Sequence, residues 1–207
     1  SAPLGELVRY ADDFVVMCRT KKDCELAEQR VRTILARLGL ELHPDKTRLI
    51  EFGRHVAQRR RGRGEGKPET FDFLGFTHIC AKSRSGRFWL RRITVSKRVR
   101  AKLREVGDQL RRRRHQPIPA QGQWLASVVR GHAAYYAVPG NARAINAFRV
   151  QIGRLWLRAL RRRSQRHKLT WRKMMRIAER WLPSPKLRHP YPDWRFDVMT
   201  RGGSPVR

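Results

Sequence analysis

The sequence predicts an α+β protein in which a strand-rich segment, residues 1–96, is followed by a helical, strongly basic segment from residue 97 onward. Three observations carry this. Two short apolar runs near the start have hairpin spacing, and the hydrophobic period changes from that of strands to that of helices at Ser96. Charge is also unevenly divided. Residues 1–96 hold 20 basic and 12 acidic residues, net +8, and residues 97–207 hold 28 and 5, net +23.

Taken in order, Leu7–Tyr10 and Phe14–Cys18 read as strands around a turn at Ala11-Asp12-Asp13, with flanks apolar enough to be buried. A helix covers Lys22–Leu38, with Leu26, Ala27, Val31, Ile34, Leu35 and Leu38 on one face and Gly39 as its stop. Leu42–Phe52 reads as a turn at His43-Pro44-Asp45-Lys46 and then a strand, and Val56–Pro68 as an Arg- and Gly-rich loop. That loop is not a phosphate-binding P-loop, since three residues, not four, separate Gly62 from Gly66 and Pro68 follows Lys67. Phe71–Ile79 and Phe88–Val95 form a second strand pair across Ser83–Gly86.

Ser96 is the expected N-cap of a helix with Val99, Leu103, Val106 and Leu110 along its seam, ending in Arg111–Arg114 before Pro117. Further helices are expected over Gln123–Tyr136, from Asn141 to about Arg163, and around Trp171–Trp181. Of these, the long one should bury Ile145, Phe148, Ile152, Leu155, Trp156 and Leu160. Prolines at 183, 185, 190 and 192 argue against regular structure in the tail. The domain reading is 1–96, 97–168 and 169–207.

A formal net charge of +31 makes a polyanion the expected partner, because neutralising phosphates releases condensed counterions. Nucleic acid leads over an anionic membrane surface. No apolar run reaches the ~20 residues needed to span a bilayer, so the expectation is a protein of the cytoplasm with no membrane partner. Three cysteines, Cys18, Cys24 and Cys80, suit neither a zinc site nor a disulfide framework, and point to a reducing compartment.

Asp12 and Asp13 are the chemical candidates. Adjacent carboxylates repel unless a cation intervenes, and Mg²⁺ binds through one or two carboxylates while phosphate and water complete its shell. On its own an Asp-Asp pair is commonly a solvated turn. Its setting is more specific. Tyr10-Ala11-Asp12-Asp13 with apolar flanks resembles the YADD box of reverse transcriptases, and Leu38–Thr47 and Phe73-Leu74-Gly75-Phe76 are similar to the segments that follow that box. Arg130-Gly131-His132-Ala133-Ala134-Tyr135-Tyr136, the long basic helix and Trp171-Arg172-Lys173-Met174 resemble the thumb and maturase region of bacterial group II intron proteins.

The resemblance covers nearly the whole chain and implies the C-terminal half of such an enzyme: an incomplete palm followed by an α-helical thumb or maturase bundle. It implies that Asp12 is a metal ligand and Asp13 its catalytic partner, with two Mg²⁺ ions in the complete enzyme. Tyr10 would lie under the primer terminus or nucleotide, and Lys46 near the triphosphate. The family's third catalytic carboxylate and its fingers precede the YADD box and are missing from this sequence, so the chain alone is expected not to polymerise. Whether Ser1 begins a fragment or a remnant is left open by the residues.

Structured intron RNA, template-primer duplex, dNTP and target DNA are the implied partners. Arg111, Arg112, Arg113, Arg114, Arg130, Arg161, Arg162, Arg163 and Lys168 are the expected phosphate contacts. Two other readings remain: a non-catalytic RNA-binding protein in which the hairpin is a relic, and a reverse transcriptase of another bacterial retroelement.

Overall fold

The computed structural model describes residues 5–83, 85–163, 169–184, 186, 187 and 189. Among these residues it shows small antiparallel sheets and six helices in a mixed α/β arrangement, and the chain divides into two compact units, residues 1–74 and 75–207.

In the first unit, β1 (Gly5–Tyr10) and β2 (Asp13–Cys18) form a two-stranded antiparallel sheet in which Tyr10 faces Asp13. The turn is therefore Ala11-Asp12, and Asp13 is the first residue of β2, not part of the turn. Helix α1 (Lys21–Arg37) follows at once, its N-cap Thr20 accepting the Asp23 amide at 3.1 Å. Its end is a Schellman motif: Leu40 N–H donates to Leu35 O and Gly39 N–H to Ala36 O, with Gly39 at φ +67°.

Two segments of this unit take a different secondary structure from the expected one. Leu42–Phe52 forms the turn, Pro44–Lys46, but no strand. Side chains hold the segment in place of a strand ladder, through Arg48 to Glu69 at 2.8 Å and Phe52 edge-on to Phe71 at 5.1 Å. The expected loop at 56–68 instead begins as helix α2 (Val56–Gly62). Val56 is fully buried and anchors it, and Ala, Gln and Arg are strong helix formers. Glu51 and Glu65 pair with Arg59 and Arg63 and so relieve the repulsion that the arginine run would create.

Strand β3 (Phe71–Phe73) closes the first unit. The expected single strand 71–79 is broken by positive φ at both Leu74 (49°) and Gly75 (79°). In the second unit β4 (Phe76–Lys82) and β5 (Phe88–Thr94) pair antiparallel, from Phe76 opposite Thr94 to Lys82 opposite Phe88.

Among the described residues of the second unit four helices follow: α3 (Ser96–Arg112), α4 (Ile118–Tyr136), α5 (Ala142–Arg161) and α6 (Trp171–Trp181). Ser96 is the first helical residue and Val95 the N-cap, without a side-chain cap bond. Helix α4 starts five residues earlier than periodicity suggests, with Pro119 in its first turn, where an absent N–H costs nothing. Most of the predicted core side chains meet, while Val99, Leu103 and Leu155 stay half-buried at its edge and Ile145 joins a separate cluster with Ala133 and Ala137. Val106 and Leu110 of α3 and Phe148, Ile152, Trp156 and Leu160 of α5 pack with Leu125, Val129, Met174 and Ala178.

Two polar side chains organise that core. Buried Gln121 accepts the Trp156 indole N–H at 2.7 Å and donates to the carbonyls of Arg113 (2.6 Å) and Gln116 (3.3 Å). Buried Asn141 accepts from Thr94 N–H at 3.1 Å and donates to Thr94 Oγ1 and Tyr136 O, both at 2.8 Å, tying β5 to the end of α4 and the start of α5. Gly122 is required by contact: a Cβ there would stand 2.5 Å from the Trp181 ring. No described helix is long and apolar enough to cross a membrane.

Candidate active site and nucleic-acid interface

Only two residues, Ala11 and Asp12, connect β1 to β2, and Ala11 has φ 51°. A positive φ at the first turn position alone is the signature of a type II′ hairpin, where glycine is usual, so alanine holds a strained conformation at the tip. Arg9, which sequence reasoning passed over, donates from Nε to Ala11 O at 2.9 Å and fixes this turn. The cross-strand pairing places Tyr10 and Asp13 on one face of the ribbon, while Asp12 stands in the turn itself.

Both carboxylates are exposed, as is Tyr10 at 65%. Of the flanks expected to be buried, Leu7 is exposed by 62%, Met17 by 50% and Val8 by 44%, while Val15 and Val16 are half-buried. A two-stranded ribbon has no second layer of its own to cover its faces. Lys46 lies in the exposed turn after α1, and no hydrogen bond or ion pair among the described residues joins it to the hairpin tip. Nor do the described residues contain a group of three or more His, Cys, Asp or Glu side chains able to hold a metal ion. Asp12 and Asp13 supply at most two carboxylates, which fits a hard cation whose shell is completed by phosphate and water.

The arginines of the second unit divide by use. Arg111 pairs with Asp108 in the last turn of α3, and Arg113 lies over the Trp124 ring at 5.0 Å. Arg161 donates to Leu169 O at 2.8 Å, and Arg163 donates to the carbonyls of Arg114 and Gln116. These bonds join chain segments, and those of Arg163 bring together two arginine runs that lie 49 residues apart in sequence. Arg112, Arg114, Arg130 and Arg162 are exposed. The C-terminal ends of α3 and α5 thus meet in one basic cluster, favourable to both helix dipoles and open to phosphate. Lys168 lies outside the described residues.

Sequence reasoning also missed a cleft of about 350 Å³ where Arg98 and Lys102 of α3 face Ser127, Gly131, His132 and Tyr136 of α4. His132 stacks on Phe148 at 3.8 Å and its Nε2 is buried without a hydrogen-bond partner. Burial, and then the Lys102 charge, hold its imidazole down to about 4, so it is neutral at pH 7. The Arg130–Tyr136 motif contained His132, but only packing of α4 against α3 and α5 shows what surrounds it.

In the first unit Glu51 accepts from Arg59 (2.6 Å) and Arg63 (2.5 Å), and Arg63 also binds Glu65 (2.6 Å). Hydrogen bonds from Arg63 and then Arg59 hold the Glu51 carboxyl below its ordinary range, and Arg63 does the same for Glu65.

Comparison with curated proteins finds no match for the chain. Residues 5–78, from β1 into β4 and including Asp12 and Asp13, match the family model described as reverse transcriptase (RNA-dependent DNA polymerase), a family of nucleotidyltransferases.

Proposed function

We propose that this chain carries the catalytic hairpin of a bacterial group II intron reverse transcriptase and maturase, and that its helical part is the thumb and maturase region. The observation that carries the reading is the Tyr10-Ala11-Asp12-Asp13 hairpin tip inside the segment that matches the reverse transcriptase model. In this reading residues 1–96 belong to the palm, 97–168 to the thumb and 169–207 to a basic tail, and the protein works in the bacterial cytoplasm.

Asp12 and Asp13 are the residues that would hold Mg²⁺, with a third carboxylate supplied elsewhere in the complete enzyme. Held there, Mg²⁺ would supply the positive charge that favours attack by a primer hydroxyl on a dNTP and departure of the leaving oxygens. The chain's own contribution is positional. The short turn, held by Arg9, presents both carboxylates at one end of the ribbon, and Tyr10 beside Asp13 offers a flat surface to the primer terminus or nucleotide. Lys46 is assigned to the triphosphate. Arg112, Arg114, Arg130 and Arg162, with Lys168, contact the backbone of intron RNA and of the template-primer duplex, an interaction dominated by shape and charge.

The rival is an RNA-binding protein without catalysis, favoured by the meeting of the two arginine runs. Asp12→Ala in the complete enzyme separates them. We expect primer extension on an RNA template to fall by about a thousandfold or more, with affinity for intron RNA changed by less than about twofold. Unchanged extension would remove the catalytic reading, and a wild-type chain without affinity for structured RNA would remove the maturase reading.

A further inference from the structure

The cleft between α3 and α4 lies outside both the hairpin tip and the arginine cluster. Its volume, about 350 Å³, falls in the range of small-molecule sites, roughly 300–1,000 Å³. Helical spacing builds its two sides. Arg98 and Lys102, four residues apart, line it from α3, and Val128, His132 and Tyr136, also four apart, line it from α4. Gly131 keeps it open: a Cβ there would meet no atom within 4 Å, so this turn of α4 leaves space where a side chain would ordinarily stand.

The lining divides by chemistry. At Gly75, with φ +79°, a Cβ would lie 3.0 Å from Tyr136 Oη and 3.3 Å from Arg98 Nη1, so the hydroxyl and the guanidinium converge on one place. Lys102 Nζ is paired with Glu105 at 2.8 Å, whereas the Arg98 guanidinium has no ion pair among the described residues. None of the described lining residues is acidic. The remaining wall is flat and uncharged. His132, kept neutral by burial, is stacked on Phe148 at 3.8 Å, and Tyr136 packs edge-on to Phe76 at 5.3 Å, so both rings are fixed from behind. A ligand made only of phosphate would leave this wall unused, and a purely apolar one would leave the Arg98 charge unused.

We propose that the cleft binds one nucleoside monophosphate unit, either a free nucleotide or an unpaired nucleotide of an RNA strand. Its phosphate lies on Arg98, Lys102 and Tyr136, and its base lies against Val128, Gly131 and His132. The unit is held by charge and by stacking, and no bond in it is made or broken. The site belongs to the second unit and does not depend on polymerisation at Asp12 and Asp13.

The test measures equilibrium binding of AMP, adenosine and inorganic phosphate to the 207-residue chain without Mg²⁺, so that no metal at Asp12 and Asp13 takes part. AMP should bind about tenfold more tightly than either of the others, since it alone uses both parts of the lining. Gly131→Leu fills the cleft and leaves the net charge at +31. It should weaken AMP binding by about tenfold with an unchanged circular dichroism spectrum. Arg98→Gln should bring AMP down to the affinity of adenosine. Arg104→Gln, the same loss of charge on α3 outside the cleft, should change it by less than about twofold.

A hairpin RNA with one bulged nucleotide, compared with its fully paired form, distinguishes the two sources. A preference for the bulge that Gly131→Leu removes assigns an RNA nucleotide, and AMP binding without that preference assigns a free one. AMP affinity no greater than that of phosphate would overturn the proposal and leave a basic surface only. Equal losses in Arg98→Gln and Arg104→Gln would overturn it too, as would unchanged AMP binding by folded Gly131→Leu.

Discussion

Among described residues of the first unit the buried apolar side chains are Ala27 and Val56, whereas the second unit encloses Phe148, Ile152, Trp156, Leu125, Met174 and others around a continuous helical core. The carboxylates with candidate chemistry sit in the first unit, and the larger basic excess lies in the C-terminal half of the sequence. The first unit leaves Ile34, Leu38 and Leu40 more than half exposed, along with the faces of its hairpin. The contrast teaches that an apolar pattern specifies which side of an element seeks cover, while burial itself needs a second layer. Helices α3 to α6 cover one another; the ribbon β1–β2 has α1 against it and open faces elsewhere.

The sharpest way to break this comparison is to delete a core side chain in the second unit. Trp156→Ala should destabilise it by about 3–5 kcal/mol, since it removes a fully buried ring and also leaves Gln121 Oε1 without its donor. Chemical denaturation checks this, and a cost near zero would mean that the core is not the source of stability.

Asn141→Ala comes next, at about 1–3 kcal/mol, because Thr94 N–H and Tyr136 O lose their partner in a buried place. Amide exchange should quicken first near the end of β5.

Acid supplies a third contrast. The folded value of His132 lies below its ordinary 6.5, at about 4, so its contribution is intact above 6.5 and is lost as pH falls toward 4. The melting midpoint of the second unit should fall across that window, and His132→Phe should flatten the fall. Glu51 and Glu65 are also held below their ordinary values. Their support of α2 should therefore be lost only at pH below the usual carboxylate range, as a local rise in amide exchange at residues 56–62.

The smallest effect belongs to the open ribbon. Leu7→Ser, at a side chain 62% exposed, should change stability by no more than about 0.5 kcal/mol in this chain. A larger loss in the melting profile would show that the ribbon is covered in solution.

Several features were readable from residue order alone because their causes are local. The hairpin followed from two apolar runs around Ala11-Asp12-Asp13, α1 from its period and Gly39, and the α5 core from residues three and four apart. Helix α2 was not readable, because Arg-rich, Gly-containing sequence resembles a loop until Val56 finds a buried place and Glu51 and Glu65 supply counter-charge. Arg9 was missed because its partner is the Ala11 carbonyl, which no residue type announces.

What the sequence determined was the candidate chemistry and the polarity: two adjacent carboxylates at the tip of a short hairpin, an excess of cations after residue 96, and an amphipathic period for each long helix. These depend on neighbours within a few residues. Tertiary structure decided which pieces meet: Gln121 with the Trp156 indole, the arginine run at 111–114 with that at 161–163, and His132 in a cleft of α3 and α4. It also decided that the hairpin flanks stay open. Such outcomes depend on which surfaces compete for cover and which carbonyls remain unpaired after folding, and they arise only when distant segments share the same space.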